Sequence, residues 1–261
     1  MKKLLARSTL FTSTFARKAA CASVLAIGVA IAATSVARAS LVLVGTNPAD
    51  SFRDLGAQGF GNSPRMLTLQ TNGVEDGSVT PVDVTNGDAV SGANKSTTPT
   101  ISTLGWTSGA QVGIGFNADQ SNTGITMQSL TLTIFNGTTS VGSFSLAGAP
   151  LTFTEADLAL EPGNGSSVFD FHLTAAEQTQ FNAILALSGS SGFFAGLSSQ
   201  LGCPANAPAG CLVSNDGPDS FIGFAQSAVV PLPAALPLFA TGLAGLGLLG
   251  WRKKRKAQAM A

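Results

Sequence analysis

Alternating apolar and polar residues recur in short runs through the middle of this chain, and they predict β-strands. The clearest run is 130–135, in which two leucines and an isoleucine share one face and two threonines the other. Asn136-Gly137 follows at once, and Ser140–Leu146 resumes the alternation. Because both positions of a tight turn require positive φ, Asn-Gly between two such runs predicts a β-hairpin.

Further runs of the same kind extend from residue 40 to residue 228. The predicted strands are Ser40–Val44, Met66–Gln70, Val79–Val84, Gln111–Phe116, Ile125–Phe135, Ser140–Leu146, Leu151–Phe153, Val168–Leu173 and Ser220–Ala228. Turns rich in Gly, Asn and Pro separate them, as in antiparallel sandwiches and barrels. We therefore expect an all-β fold, specifically an antiparallel, jelly-roll-like β-sandwich.

One short helix is expected to interrupt the strands. Thr174-Ala-Ala-Glu177 is a capping-box pattern, in which the threonine hydroxyl and the glutamate carboxylate each accept from a backbone N–H group. Gly189 predicts that this helix ends near Ser188. Residues 154–157 have the same spacing of Thr and Asp and predict a second, shorter helical turn.

Charge divides the chain into three blocks, although the whole has 14 basic and 14 acidic residues. Residues 1–39 hold six cations and residues 228–261 hold five, without a single anion. Residues 40–227 hold three cations and all fourteen anions, a net charge of −11. Such an acidic block lacks the basic surface that nucleic acid requires, so DNA and RNA are excluded as partners.

The first block has the features of a signal peptide. A basic beginning is followed by an uncharged run over residues 19–37. Ala37 and Ala39 then form the small-x-small pattern that signal peptidase recognises, which predicts cleavage before Ser40. The exported domain is therefore expected to span residues 40–227.

The last block predicts a membrane segment. No charged residue occurs from 228 to 251, and about 20 apolar residues suffice to span a bilayer. We expect a transmembrane helix at about 236–251, followed by a basic tail. The tail consists of Arg252, Lys253, Lys254, Arg255 and Lys256. The positive-inside rule places this end in the cytoplasm, with the precursor held in the inner membrane.

A short Pro-x-Pro motif precedes that helix. It consists of Val230, Pro231, Leu232, Pro233 and Ala234. Together with the helix and the basic tail, it resembles the PEP-CTERM sorting signal in its VPLPA form, with Leu232 where the commonest form has Glu. The resemblance implies a Gram-negative envelope protein whose tail is removed near the motif by an exosortase, a membrane processing enzyme. The mature form is then expected at the outer surface or outside the cell.

Two cysteines in the exported block predict a disulfide. Cys203 and Cys211 enclose seven residues, and the block contains a single histidine. In an exported chain, an even pair at this spacing is most simply a disulfide. A metal site would need further Cys or His ligands.

That histidine, His172, has one candidate catalytic partner. Alternation along Val168–Leu173 places Asp170 and His172 on the same face, as in a general base oriented by a carboxylate. No G-x-S-x-G nucleophile motif occurs in the chain. Asp and His on the polar face of a strand are usually solvated, and we expect no catalysis from this pair.

A glycoside hydrolase would use two carboxylates about 5–10 Å apart. Glu155, Asp157 and Glu161 are candidates, but the chain has no Tyr, and Trp106 is the one Trp of the exported block. Carbohydrate clefts normally use aromatic platforms. For Trp106 we expect packing in the core.

Calcium is the ligand that the Asp-rich turns would favour, since they offer hard oxygen atoms. The turns are Asn86–Asp88, Asn117–Asp119 and Asn215–Asp219. None matches a calcium-loop motif, and Asn, Asp and Gly populate turns for backbone reasons alone. We therefore expect no cofactor, with a calcium site as the alternative.

Taken together, these features predict an exported cell-surface or extracellular-matrix protein with a structural or adhesive role and no enzymatic activity. Its expected partners are signal peptidase, an exosortase and an exopolysaccharide. Two alternatives remain open: a secreted hydrolase of polysaccharide or ester substrates, and a calcium-dependent glycan-binding module.

Overall fold

The computed structural model of the chain describes residues 39–45, 47–55, 60, 63–92, 94–120, 123–160, 167–215 and 217–226. These residues form a mostly β structure with few helices. Its strands are β1 Ala39–Leu43, β2 Phe52–Asp54, β3 Arg65–Leu69, β4 Val74–Thr80, β5 Val84–Gly87, β6 Val112–Asn117, β7 Ile125–Asn136, β8 Thr139–Leu146, β9 Leu151–Phe153, β10 Ser167–Leu173, β11 Phe194–Gly202 and β12 Asp219–Ala225. Its α-helices are α1 Ile101–Leu104, α2 Glu155–Leu158 and α3 Ala175–Leu185.

The strands join into a single mixed sheet. Their order is β3-β12-β6-β10-β1-β8-β7-β11-β4-β5, with β2 added to β10 and β9 added to β7. β1 and β8 run parallel, and the other pairings among the described strands are antiparallel. The sheet curls, because the segment after β5 returns to β3: the Val90 N–H donates to the Thr68 carbonyl at 2.8 Å.

The expected hairpin between β7 and β8 is confirmed, with its turn one residue later than predicted. Asn136 pairs with Thr139, so the loop residues are Gly137 and Thr138. Gly137 has φ +59°, and glycine at the first loop position suits a tight hairpin turn because it adopts positive φ without steric cost. The alternation in β7 is confirmed too, because Leu132 is fully buried.

The hydrophobic core is rich in aromatic rings. The Phe116 and Phe221 rings stack with centroids 4.8 Å apart. Trp106 is only 1% exposed, which confirms its expected place in the core. Its ring meets that of Phe181 edge to face at 5.9 Å, and its Nε1–H donates to the Phe224 carbonyl at 2.8 Å. A partner for the indole N–H removes the cost of burying that group.

The prediction of one strand over Val79–Val84 is wrong. β4 ends at Thr80 and β5 begins at Val84, with a reversal at 81–83 between them. Val82 and Asp83 there have φ +60° and +57°, the left-handed region that L-residues with side chains seldom adopt. Pro81, which cannot donate to a sheet ladder, is the sequence signal for this break.

The helix predictions hold in part. α3 follows Thr174 as expected, but the Thr174 side chain makes no capping hydrogen bond and the helix ends at Leu185. The capping box forms instead at the shorter helix α2, where Thr154 and Asp157 satisfy each other's backbone N–H groups. The described residues contain three α-helices, where the sequence predicts one helix and one shorter helical turn.

The all-β class is confirmed in this coarser form, as a curled mixed sheet. The sandwich and jelly-roll arrangement, and the boundaries at 1–39, 40–227 and 228–261, stay predictions. Within the described ranges, no helix is long and apolar enough to cross a membrane. The transmembrane helix predicted at about 236–251 lies outside those ranges.

Candidate functional site

The predicted disulfide is present. Cys203 and Cys211 are bonded, with their Cα atoms 5.7 Å apart. The pair closes the loop that follows β11, and the Cys203 N–H also donates to the Gly73 carbonyl at 3.2 Å. The disulfide therefore closes this loop at the end of β11, and the backbone hydrogen bond holds the loop beside the start of β4.

The predicted processing sites lie mostly outside the described residues. This holds for Ala37, for the motif at 230–234 and for the basic tail at 252–256. Ala39 and Ser40 begin strand β1, and Ala39 pairs in register with Ser145 of β8.

Asp170 is buried, which corrects the expectation that it is solvated. It is 4% exposed, and its carboxylate accepts from the Arg53 Nε–H at 3.2 Å and from the Gln226 Nε2–H at 3.0 Å. Burial raises the pKa of Asp170 to about 7, although the charge of Arg53 opposes the rise. The Asp170 carboxylate is therefore held in an ion pair with Arg53 of β2, a residue that lies far from it in the sequence.

Two glycines of β6 lie opposite Asp170 and His172. Asp170 pairs with Gly115 and His172 with Gly113, so β6 carries no side chain opposite either residue. A Cβ at Gly113 would come within 2.5 Å of the Phe224 ring. That ring in turn lies 4.5 Å from the Arg53 guanidinium carbon, a distance at which a cation and an aromatic face attract.

His172 itself is half-buried beside Asp170. Burial lowers its pKa, so the imidazole is neutral at physiological pH. The hydrogen bonds of the described residues join Asp170 to Arg53 and Gln226 rather than to His172. The predicted pair thus shares a face without forming the hydrogen bond of an oriented base.

A second buried group, absent from the sequence predictions, joins Glu75 of β4 to Asp219 of β12. Both side chains are fully buried, and each carboxyl group perturbs the pKa of the other. Burial is the main cause that raises the pKa of both groups, and the charge of Glu75 raises the pKa of Asp219 further.

Backbone and amide donors fix this carboxyl pair. Glu75 Oε1 accepts from the Thr71 N–H at 2.8 Å. Asp219 Oδ1 accepts from the Asp119 N–H at 2.9 Å, and its Oδ2 accepts from the Gln120 Nε2–H at 2.9 Å. No local sequence pattern links Glu75 to Asp219, because β4 and β12 belong to distant parts of the sheet.

Two of the proposed calcium turns, Asn117–Asp119 and Asn215–Asp219, meet at this pair. The two turns are joined by a backbone hydrogen bond, in which the Gly217 N–H donates to the Asp119 carbonyl at 3.0 Å. In the third turn, Asp88 Oδ2 accepts from the Asp76 N–H at 2.9 Å. Across the described part of the chain, no three His, Cys, Asp or Glu side chains are grouped as metal ligands.

Two of the carboxylates considered for glycoside hydrolysis, Glu155 and Asp157, lie on the helical turn α2. Asp157 caps α2 through its contacts with Thr154 at 2.7–2.8 Å. Glu155 is exposed on the same turn, and Glu161 lies outside the described residues.

An open pocket of about 710 Å³ lies elsewhere, between the start of β3, the β4–β5 turn, the loop at 94–99 and α1. Arg65 and Phe60 line it, with the guanidinium carbon 5.0 Å from the ring centroid. Asp83 lines the opposite part, and its Oδ1 accepts from the Thr98 N–H at 2.6 Å. Sequence patterns did not reveal this pocket, because its walls come from four separate segments.

Comparisons of the chain with protein-family models, with curated proteins and with solved structures gave no match. The function proposed below therefore rests on the chain's own residues and geometry.

Proposed function

We propose that the chain is an exported protein of the bacterial cell surface or extracellular matrix with a structural or adhesive role. In this proposal residues 1–39 direct secretion, and residues 228–261 form a PEP-CTERM-like signal that an exosortase processes. The observation that carries the proposal is the Cys203–Cys211 disulfide. Disulfides form and persist mainly in oxidising compartments outside the cytoplasm, which supports export.

The structural role is supported by the contacts of the buried acidic side chains. Asp170 is bonded to Arg53 and Gln226, and Glu75 lies against Asp219 inside the domain. These contacts join β10 to β2 and β4 to β12, so they stabilise the fold. In this proposal the opposed limbs of the curled sheet act as the layers of a β-sandwich, and its loops contact the partner.

Localisation and intact mass in the native host test the proposal directly. The protein is followed in the wild-type host and in a host that lacks the exosortase. We expect a surface or extracellular product that begins at Ser40 and lacks residues 238–261. Without the exosortase, we expect a membrane-bound species that retains the basic tail at 252–256.

A matched pair of variants isolates the motif. Pro231→Ala combined with Pro233→Ala should block removal of the tail, whereas Pro237→Ala, outside the motif, should leave it unchanged. An extracellular product that still ends in the basic tail would refute processing. A product confined to the cytoplasm would refute export.

The two alternatives predict other outcomes for the same purified product. A secreted hydrolase releases reducing ends from polysaccharide or alcohol from esters, and an Asp157→Asn or His172→Asn variant would abolish that release. A calcium-dependent module gains thermal stability when calcium is added and loses it with a chelator.

A further inference from the structure

The pocket between β3 and the β4–β5 turn presents Arg65, a cation that pairs with no carboxylate in the part of the chain that the structure describes. Residues 40–227 contain three cations, Arg53, Arg65 and Lys95. Arg53 is paired with Asp170. Arg65 lines the pocket, and within the described ranges no carboxylate lies at ion-pair distance from it. Because the block has a net charge of −11, an unpaired guanidinium in a concave site indicates a site for an anionic ligand.

The Arg65 guanidinium is held in place by an aromatic ring. Its central carbon lies 5.0 Å from the centroid of Phe60. Burial lowers the pKa of Arg65, yet arginine starts from so high a value that it stays cationic at neutral pH. The contact with Phe60 limits the motion of the group and leaves N–H donors for a planar anion such as a carboxylate.

The other side of the pocket presents an acceptor fixed by the backbone. Asp83 Oδ1 accepts from the N–H of Thr98 at 2.6 Å and from its hydroxyl at 3.0 Å. The second oxygen, Oδ2, has no protein donor among the described residues. Asp83 lies in the β4–β5 turn with φ +57°, a left-handed conformation that Asp and Asn adopt more readily than most residues.

Asn94 and several hydroxyl groups complete the lining. Asn94 also has a left-handed φ, +63°, and its amide offers both a donor and acceptors. Ser63 and Thr103 add hydroxyls to the lining. The pocket therefore combines one cation, one fixed acceptor and groups that both donate and accept. Its volume of about 710 Å³ falls within the range of small-molecule sites.

We propose that this pocket binds a sugar acid, with the sugar carboxylate on Arg65 and sugar hydroxyls on Asp83 and Asn94. A sugar acid is the ligand class that supplies a planar anion and several O–H donors on one small ring. A simple anion would offer Asp83 no O–H donor, and a neutral sugar would offer Arg65 no negative charge. The proposal rests on the adhesive role proposed above and specifies its ligand.

The overall charge of −11 does not prevent this contact. At physiological ionic strength, charges separated by more than about 8 Å are largely screened from each other. The nearby Arg65 therefore outweighs distant carboxylates. Among the residues that line the pocket, Asp83 is the carboxylate, and it is already hydrogen-bonded to Thr98.

Binding of a trigalacturonate probe tests the proposal, with its fully methyl-esterified form as the uncharged control. Calorimetry on the protein as exported should show binding of the acid, and the ester should bind at least about tenfold more weakly. Arg65→Gln should lower affinity for the acid by about tenfold or more and leave the ester unchanged, whereas Arg65→Lys should lose less. Asp83→Asn should weaken the binding of both probes.

Lys95→Gln is the matched charge control. Lys95 follows Asn94 in the chain but does not line the pocket, so its replacement changes net charge equally and should alter affinity less than about twofold. The unfolding midpoint of each variant shows whether it is folded. Equal binding of acid and ester, equal loss in Arg65→Gln and Lys95→Gln, or no binding of either probe would overturn the proposal. Surface localisation of a protein that binds neither probe would leave the proposed export and sorting intact.

Discussion

Replacement of the buried Asp170 by asparagine should change how stability depends on pH. Burial raises the pKa of Asp170 from 3.8 to about 7, so the folded protein holds a proton that the unfolded chain releases. Stability from this group is fully present below about pH 4 and is lost as the pH rises through 7. A rise of this size corresponds to about 4 kcal/mol of unfolding free energy. An asparagine side chain does not ionise, so the variant should not lose that contribution.

The assay is urea unfolding at pH steps from 4 to 8, followed by the fluorescence of the buried Trp106. We expect the unfolding free energy of Asp170→Asn, minus that of the wild type, to rise by about 4 kcal/mol between pH 4 and pH 8. His172 acts in the opposite direction, because burial lowers its pKa. Both proteins contain His172, so its contribution cancels in the difference.

Asp76→Asn serves as the control, since it removes a carboxylate from an exposed position of β4. Its stability relative to the wild type should stay within about 0.5 kcal/mol across the same range. Parallel pH profiles for wild type and Asp170→Asn would refute the reasoning. They would mean that Arg53 stabilises the ionised carboxylate as much as burial penalises it.

Two further predictions concern the loop disulfide and the strained turn. Replacing Cys203 and Cys211 by serine should lower the unfolding free energy by about 2–3 kcal/mol, measured by urea unfolding. A reductant should then have no further effect on the variant, and an unchanged midpoint would contradict the stabilising role of the bond. Val82→Asn should raise the unfolding free energy by about 1 kcal/mol, because asparagine tolerates the left-handed φ of +60° at this position. Val84→Asn, also at an exposed valine but within β5, should give no gain; equal effects would argue against strain at Val82.

Alternation predicted the strands whose apolar side is made of large side chains. β7 and β8 are of this kind, and their hairpin turn lies one residue after the position that the Asn-Gly signal predicts. β11, Phe194–Gly202, was not predicted, because its inward positions include small or polar residues such as Ala195 and Ser199. Its strand conformation comes from pairing on both edges, with β7 and β4, and periodicity contains no information about such pairing.

Contacts between distant segments explain why the buried carboxyls were not predicted correctly. The alternation in β10 does place Asp170 and His172 on a face other than that of the core phenylalanines. The side chains of Arg53 and Gln226 pack over Asp170, so its carboxyl group is buried rather than solvated. The partnership of Glu75 and Asp219 likewise depends on the curl of the sheet, which local patterns do not encode.

These buried groups also change what the charge of −11 means. That number counts every carboxyl as ionised, yet burial raises the pKa of Glu75 and Asp219, and it raises the pKa of Asp170 to about 7. The folded domain is therefore less negative at neutral pH than its composition implies. Because all three groups have raised pKa values, folding takes up protons, and each group makes the fold more stable in mildly acidic than in alkaline surroundings. Arg65 then stands out more clearly: it is a cation in a domain whose interior keeps part of its negative charge neutralised, and it faces an open pocket rather than a carboxylate.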